Sequence, residues 1–223
     1  MNIAKNIENI KSQLPDNVRL IAVSKYHSTE EIITAYNAGQ RDFGENKIQE
    51  LLQKQEELQN LDICWHLIGH LQTNKVKYIA NFVEYIHSVD NLKLLQEINN
   101  QAIKQNRKIK CLLEFHIAEE ETKFGLNLEK TIEILDSEEY KLMQNIEICG
   151  IMGMASFTDD LKKIYIEFNK LKKIFDFLKE KYYFHSFNFH EISMGMSNDW
   201  KIAIEAGSTM IRIGTQIFGE RNY

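Results

Sequence analysis

Arg19-Leu20-Ile21-Ala22-Val23-Ser24-Lys25 is a short apolar run that ends in a lysine. Its length and composition suit a strand covered on both faces, the kind that parallel sheets use. An ammonium is rarely left at the end of such a run without a partner or a reaction to perform, so Lys25 is the first candidate functional residue. Similar runs recur near Arg41 to Phe43, Cys64 to Ile68, Tyr85 to Ser88, Ile109 to Ile117, Ile146 to Met152, Phe189 to Met194 and Met210 to Ile213. Helical patterns separate them. The clearest spans Leu161 to Phe184, where Leu161, Ile164, Phe168, Leu171, Phe175 and Leu178 form one apolar stripe opposed by lysines and glutamates. Eight such units predict an α/β fold, a (β/α)8 TIM barrel. An open doubly wound sheet is the alternative, but its Gly-x-Gly-x-x-Gly signature is missing, and Val23-Ser24-Lys25-Tyr26-His27 stands in that place.

The chain has 223 residues, 43% hydrophobic and 26% charged, with one proline and ten glycines. No low-complexity linker divides it, so residues 1–223 are expected to form one domain. Acidic and basic residues are interleaved around a net charge of -5, and no basic stripe with stacking aromatics is present, which excludes a nucleic-acid partner. Ile3, Ile7, Ile10 and Leu14 recur at helical spacing between Lys5, Glu8 and Lys11, predicting an extra N-terminal helix stopped at Pro15 rather than a signal peptide. No apolar stretch approaches the roughly 20 residues of a membrane span. The expectation is a cytoplasmic protein without a membrane partner. Cys64, Cys111 and Cys149 are odd in number and lack Cys-x-x-Cys spacing, so they read as buried reduced thiols.

In a barrel, residues at the C-terminal strand ends gather on one rim. Lys25, Asn46, His66, Ser88, Ser197 and Arg212 all fall at or just after such ends. The loops after the seventh and eighth strands commonly hold a phosphate, and here they are Gly195-Met196-Ser197-Asn198 and Gly214-Thr215. Ser197 stands where a helix over 198–206 would begin, a position that favours an anion but equally suits a plain helix cap. A desolvated Lys25 amine can condense with an aldehyde, and pyridoxal phosphate is an aldehyde that carries a phosphate. Arg212 would face the pyridine nitrogen; its competing reading is a salt bridge to Glu45 or Glu205. His66 and His70 are spaced i, i+4, but no third ligand and no helical pattern accompany them, so no metal site is expected.

The motifs Ala22-Val23-Ser24-Lys25, Phe43-Gly44-Glu45-Asn46, Trp65-His66-Leu67-Ile68-Gly69-His70-Leu71-Gln72-Thr73-Asn74-Lys75, Ser193-Met194-Gly195-Met196-Ser197 and Arg212-Ile213-Gly214-Thr215 resemble, in order and across nearly the whole chain, the YggS/PROSC family of pyridoxal phosphate homeostasis proteins. The resemblance implies a barrel like the N-terminal domain of alanine racemase. It implies Lys25 as the Schiff-base lysine, Arg212 at the pyridine nitrogen, Asn46 beside the ring, and Ser197, Gly214, Thr215 and the Met196 backbone at the phosphate. The chain departs from the pattern at Tyr26-His27-Ser28 and at Glu114-Phe115-His116, where a Gln-Val-Asn run is usual and His116 could stand in as a donor; Thr122-Lys123-Phe124-Gly125-Leu126 keeps the expected lysine and glycine.

Turnover would also need an acid or base at the substrate's Cα proton and a site for its carboxylate, and neither is evident. Alanine racemase adds a β domain that supplies a catalytic tyrosine, whereas this sequence stops at Tyr223 soon after Gly219-Glu220. The expectation is therefore a monomeric carrier that stores, buffers or delivers pyridoxal phosphate to apoenzymes. The alternatives are an amino-acid racemase or lyase using Lys25 as base, and a barrel that binds another phosphorylated metabolite without a covalent link.

Overall fold

The computed structural model describes residues 2–119 and 125–220. Thr122, Lys123, Phe124 and Tyr223, singled out in the sequence, lie outside them. Eight strands, β1 (Arg19–Val23), β2 (Asp42–Glu45), β3 (Cys64–Leu67), β4 (Tyr85–Val89), β5 (Ile109–His116), β6 (Ile146–Met154), β7 (Glu191–Ser193) and β8 (Met210–Ile213), pair in chain order into a closed parallel barrel. β1 and β8 close it, with Arg19 opposite Met210 and Ala22 opposite Ile213. Helix α1 (Ile3–Lys11) precedes β1; α2 (Thr29–Asn37), α3 (Ile48–Glu57), α4 (Leu92–Lys104), α5 (Leu128–Asp136), α6 (Glu138–Lys141), α7 (Leu161–Tyr182) and α8 (Trp200–Glu205) lie in the crossovers with a 3-10 turn over Thr73–Tyr78; and α9 (Thr215–Phe218) follows β8.

Apolar side chains pack in two places. Between sheet and helices, Ile164, Phe168, Leu171, Phe175 and Leu178 of the α7 stripe are buried as its period requires, whereas Leu161 in the first turn is 61% exposed. Inside the barrel, Ile21, Tyr85, Leu112, Cys149, Met152 and Met210 form a smaller cluster. The extra helix α1 buries Ile3, Ile7 and Ile10, and Asn6 Nδ2 donates to the Ile217 carbonyl of α9 at 2.9 Å.

Some boundaries differ from expectation. β7 begins at Glu191 rather than Phe189, because the Phe189 ring stacks on Tyr183 and Phe175 and its carbonyl accepts from Lys179, which draws it toward α7. The helix expected over 198–206 starts at Trp200 with Asp199 as its N-cap, so Ser197 does not cap it. Cys111 and Cys149 are buried free thiols, but Cys64 is half-buried, because it opens β3 at the N-terminal mouth of the barrel. Among the described residues no helix is long and apolar enough to cross a membrane.

Candidate functional site

A cavity of about 620 Å³ occupies the C-terminal mouth of the barrel. Lys25, Asn46, Met196, Ser197, Arg212, Gly214 and Thr215 all line it, together with the β6–α7 loop at Ala155, Ser156 and Phe157. Strand β1 ends at Val23, so Lys25 is not the last residue of a strand but half-buried in the turn that follows, closed by the His27 N–H donating to the Ser24 carbonyl at 3.0 Å.

That turn rests on a buried ionic cluster. Lys54 of α3 is 5% exposed, and its Nζ donates to the Ser24 carbonyl and Glu45 Oε1, both at 2.7 Å, and to Glu50 Oε1 at 2.6 Å. The Ser24 hydroxyl also donates to Glu45 Oε1, at 2.6 Å. Burial pushes the Glu45 carboxyl up, and Lys54 opposes the shift. Nothing in the expected site included Lys54, although it sits on the same helix face as Leu51 and Leu58, where a charge is out of place.

Arg212 is 5% exposed. It donates through Nη1 to Ser193 Oγ at 2.6 Å and through Nη2 to the Gly153 carbonyl at 3.2 Å, and the ion pairs of the described residues do not join it to Glu45 or Glu205. Burial pushes its pKa down to about 10, against the pull of the Asp199 and Glu114 carboxylates. Glu114 is pushed up to about 7, chiefly by its own burial and by Asp90. His116 does not stand in at the cavity; it lines a groove between β5 and α7 with Leu126 and Tyr165.

The two loops expected to cradle an anion both line the cavity. Gly195 has φ +97°, and a Cβ there would lie 2.6 Å from the Ala203 Cβ and 3.0 Å from the Trp200 Cα, so only glycine lets α8 approach this closely. The Met196 N–H is engaged by Asp199 Oδ1 at 2.5 Å. Gly214 precedes α9 with no side-chain cap. Gln216 ties the loops together, accepting from Trp200 Nε1 at 3.2 Å and donating to the Ser197 carbonyl at 2.6 Å. On the opposite wall, the Gly69 loop presses against the backbone of Asn46, and Asn46 Oδ1 is buried without a partner. An orphaned acceptor in a cavity wall is costly unless a ligand satisfies it.

His66 is fully buried inside the barrel rather than at the rim, and His70 lies apart from it, 3.9 Å from Asp90. Among the described residues the donors that come close enough to hold a metal are Asp42, Cys64 and His66, a group the sequence did not suggest because two strands contribute it.

This barrel and its mouth define a class: a model of the alanine racemase N-terminal domain matches residues 1–222. An alanine racemase of Clostridium difficile 630 shares the fold at a TM-score of 0.79 with only 15% identity, and the chain covers 57% of it. Curated pyridoxal phosphate homeostasis proteins are much nearer. That of Aquifex aeolicus is 40% identical over 206 residues, covering 92% of this chain and 88% of the relative, and that of Homo sapiens is 38% identical, covering 92% and 77%. The structure of PipY from Synechococcus elongatus with PLP bound has 36% identity and a TM-score of 0.88, covering 97% of this chain and 100% of that one. The chain belongs to the family of pyridoxal phosphate homeostasis proteins.

Proposed function

We propose that this chain binds pyridoxal 5'-phosphate in the C-terminal cavity, holds it covalently through Lys25, and stores, buffers or delivers it to apoenzymes of the cytoplasm. The observation that carries the reading is the convergence of one amine, one buried guanidinium and two glycine-containing loops on a single cavity. The cavity suits the group: it is roomy enough, it offers hydroxyls at Ser197 and Thr215, and its buried Asn46 amide oxygen lacks a partner. Bound there, pyridoxal phosphate supplies an aldehyde that condenses with a lysine amine, releasing water.

The residues divide the work. The Lys54–Glu45–Ser24 cluster orients the turn that presents Lys25. Arg212, a permanent donor, offers N–H groups and no proton acceptor, which favours an unprotonated ring nitrogen beside it. Ser197 and Thr215 offer hydroxyls to the phosphate, and Gly214 lets the main chain come close. The names of the relatives support a carrier over a racemase, and the PLP-bound PipY supports binding of the cofactor.

The test is an absorbance spectrum with pyridoxal phosphate before and after borohydride, with peptide mapping and an assay of Cα-deuterium exchange on amino acids. Label on Lys25 without exchange is expected. Absence of label overturns the covalent reading, and exchange at ordinary enzyme rates overturns the carrier.

A further inference from the structure

The interior of the barrel holds a run of polar groups that the cavity wall alone does not require. Arg212 Nη1 donates to Ser193 Oγ at 2.6 Å. Ser193 Oγ lies 3.0 Å from His87 Nδ1, His87 Nε2 lies 2.9 Å from His66 Nδ1, and His66 Nε2 lies 3.0 Å from Asp42 Oδ1. Ser193, His87 and His66 are all fully buried. The run thus crosses the barrel from β8 through β7, β4 and β3 to β2. Asp42 opens β2, at the end of the barrel opposite the cavity.

The two ends fix the direction of every bond. A guanidinium only donates, and an ionised carboxylate only accepts. Burial would raise the Asp42 carboxyl, but the His66 hydrogen bond and the Arg19 charge outweigh it and hold it ionised. Burial also disfavours charge on both imidazoles, so each is neutral, with one donor and one acceptor. With Asp42 accepting, His66 carries its proton on Nε2 and accepts at Nδ1. His87 then also carries its proton on Nε2, and its Nδ1 accepts from the Ser193 hydroxyl. The Ser193 oxygen is left to accept from Arg212. Reversing any one bond would bring two donors or two acceptors face to face farther along.

We propose that Asp42 is a positioning residue for Arg212, a remote counter-charge that acts through the aligned hydrogen bonds of His66, His87 and Ser193 to fix the guanidinium in the cavity wall. The nearer carboxylates, Asp199 and Glu114, act on Arg212 by charge alone, whereas Ser193 makes its 2.6 Å contact. Aligned bonds in a low-dielectric interior polarise one another, so the carboxylate is felt beyond its own hydrogen bond. A cation is a poor occupant of the Asp42, Cys64 and His66 cluster, because the Arg19 guanidinium stands 3.7 Å from Asp42 and burial keeps the Cys64 thiol protonated. What Arg212 does once held rests on the proposed cofactor site; the alignment of the chain does not.

Two measurements test this. In the cofactor-free protein at pH 7, long-range nitrogen-15 spectra of the imidazoles should show both His66 and His87 as neutral Nε2–H tautomers; a proton on Nδ1 of either, or a charged ring, overturns the proposal. In the presence of pyridoxal phosphate, Asp42→Asn should weaken binding about tenfold, a coupling of ordinary size, and shift the absorbance maximum while the borohydride label on Lys25 still forms. In a Ser193→Ala background the same substitution should do nothing further; an equal effect in both backgrounds overturns the proposal. Failure of the wild type to label at Lys25 would sink the covalent cofactor reading and leave the tautomer result to decide the alignment.

Discussion

Replacing Lys54 by methionine should damage the protein through Glu45. The side chains are similar in length and Met suits a buried helix face, so packing is largely kept. What is lost is the ammonium that meets the Ser24 carbonyl, Glu45 and Glu50 within 2.7 Å. Glu45 is fully buried, with Oε2 already lacking a partner, and would keep only the Ser24 hydroxyl. Removing one partner of a buried ion pair costs about 3–5 kcal/mol. Protonation of Glu45 limits the loss, because each unit of upward shift costs only about 1.4 kcal/mol. The net expectation is roughly 3 kcal/mol at pH 8, out of a total stability on the order of 10 kcal/mol. The sign with pH follows from the direction of the shift. A carboxyl whose folded value lies above its unfolded value leaves stability intact below the unfolded value and removes it as pH rises through the folded one. The deficit should therefore be largest in mild alkali and shrink as pH falls toward 5. Urea titrations of both proteins across pH 5 to 8 would measure it, with Lys54→Met/Glu45→Gln as a control that recovers much of the loss. A deficit below about 1 kcal/mol, flat with pH, would refute the claim that this cluster holds the turn bearing Lys25.

Other outcomes are accessible to simple assays. Lys25→Ala should abolish the borohydride label while leaving weaker, phosphate-anchored binding, and Arg212→Ala should alter the spectrum more than the occupancy; identical spectra for wild type and both variants would contradict the site. Gly195→Ala should cost roughly 2–4 kcal/mol by thermal unfolding, since it adds left-handed strain to the 2.6 Å clash with Ala203. Glu114→Gln should be neutral near pH 4 and stabilising above pH 7, by up to roughly 3 kcal/mol, because burial pushes Glu114 to about 7 and its ionisation costs stability as pH rises through that value. Cys111 is fully buried with its thiol pushed up by burial, so a thiol reagent should reach it only after unfolding; fast labelling of the native protein would argue for opening of the barrel.

The barrel was legible because parallel strands covered on both faces must be apolar runs, and the helices between them must carry an apolar stripe, as Ile164 to Leu178 do. Strand ends were less so. Glu45 belongs to β2 although a glutamate reads as the end of a strand, because Lys54 from a helix neutralises it inside the fold. The cavity residues were legible as motifs, since rim residues follow strand ends in any barrel of this kind. The polar interior was not. Asp42, His66, His87 and Ser193 have nothing in their spacing to announce contact, and their meeting depends on the tilt and stagger with which eight strands close. His66 stands late in an apolar run, where a place on the rim and a histidine packed within the strand are both open readings, and the pleat turns it inward against Tyr85.

The seam between β1 and β8 has a consequence for the birth of the protein. Lys25 directly follows the first barrel strand in chain order, whereas Arg212 lies in the last and Gly214 just after it. A nascent chain therefore presents Lys25 before the strand that completes the cavity around it has been made. On the proposed function, selective capture of an aldehyde awaits closure of the ring, and such long-range pairing is slow to form. Any truncation that removes β8 would leave an amine that reacts no better than any other lysine on an unfolded chain.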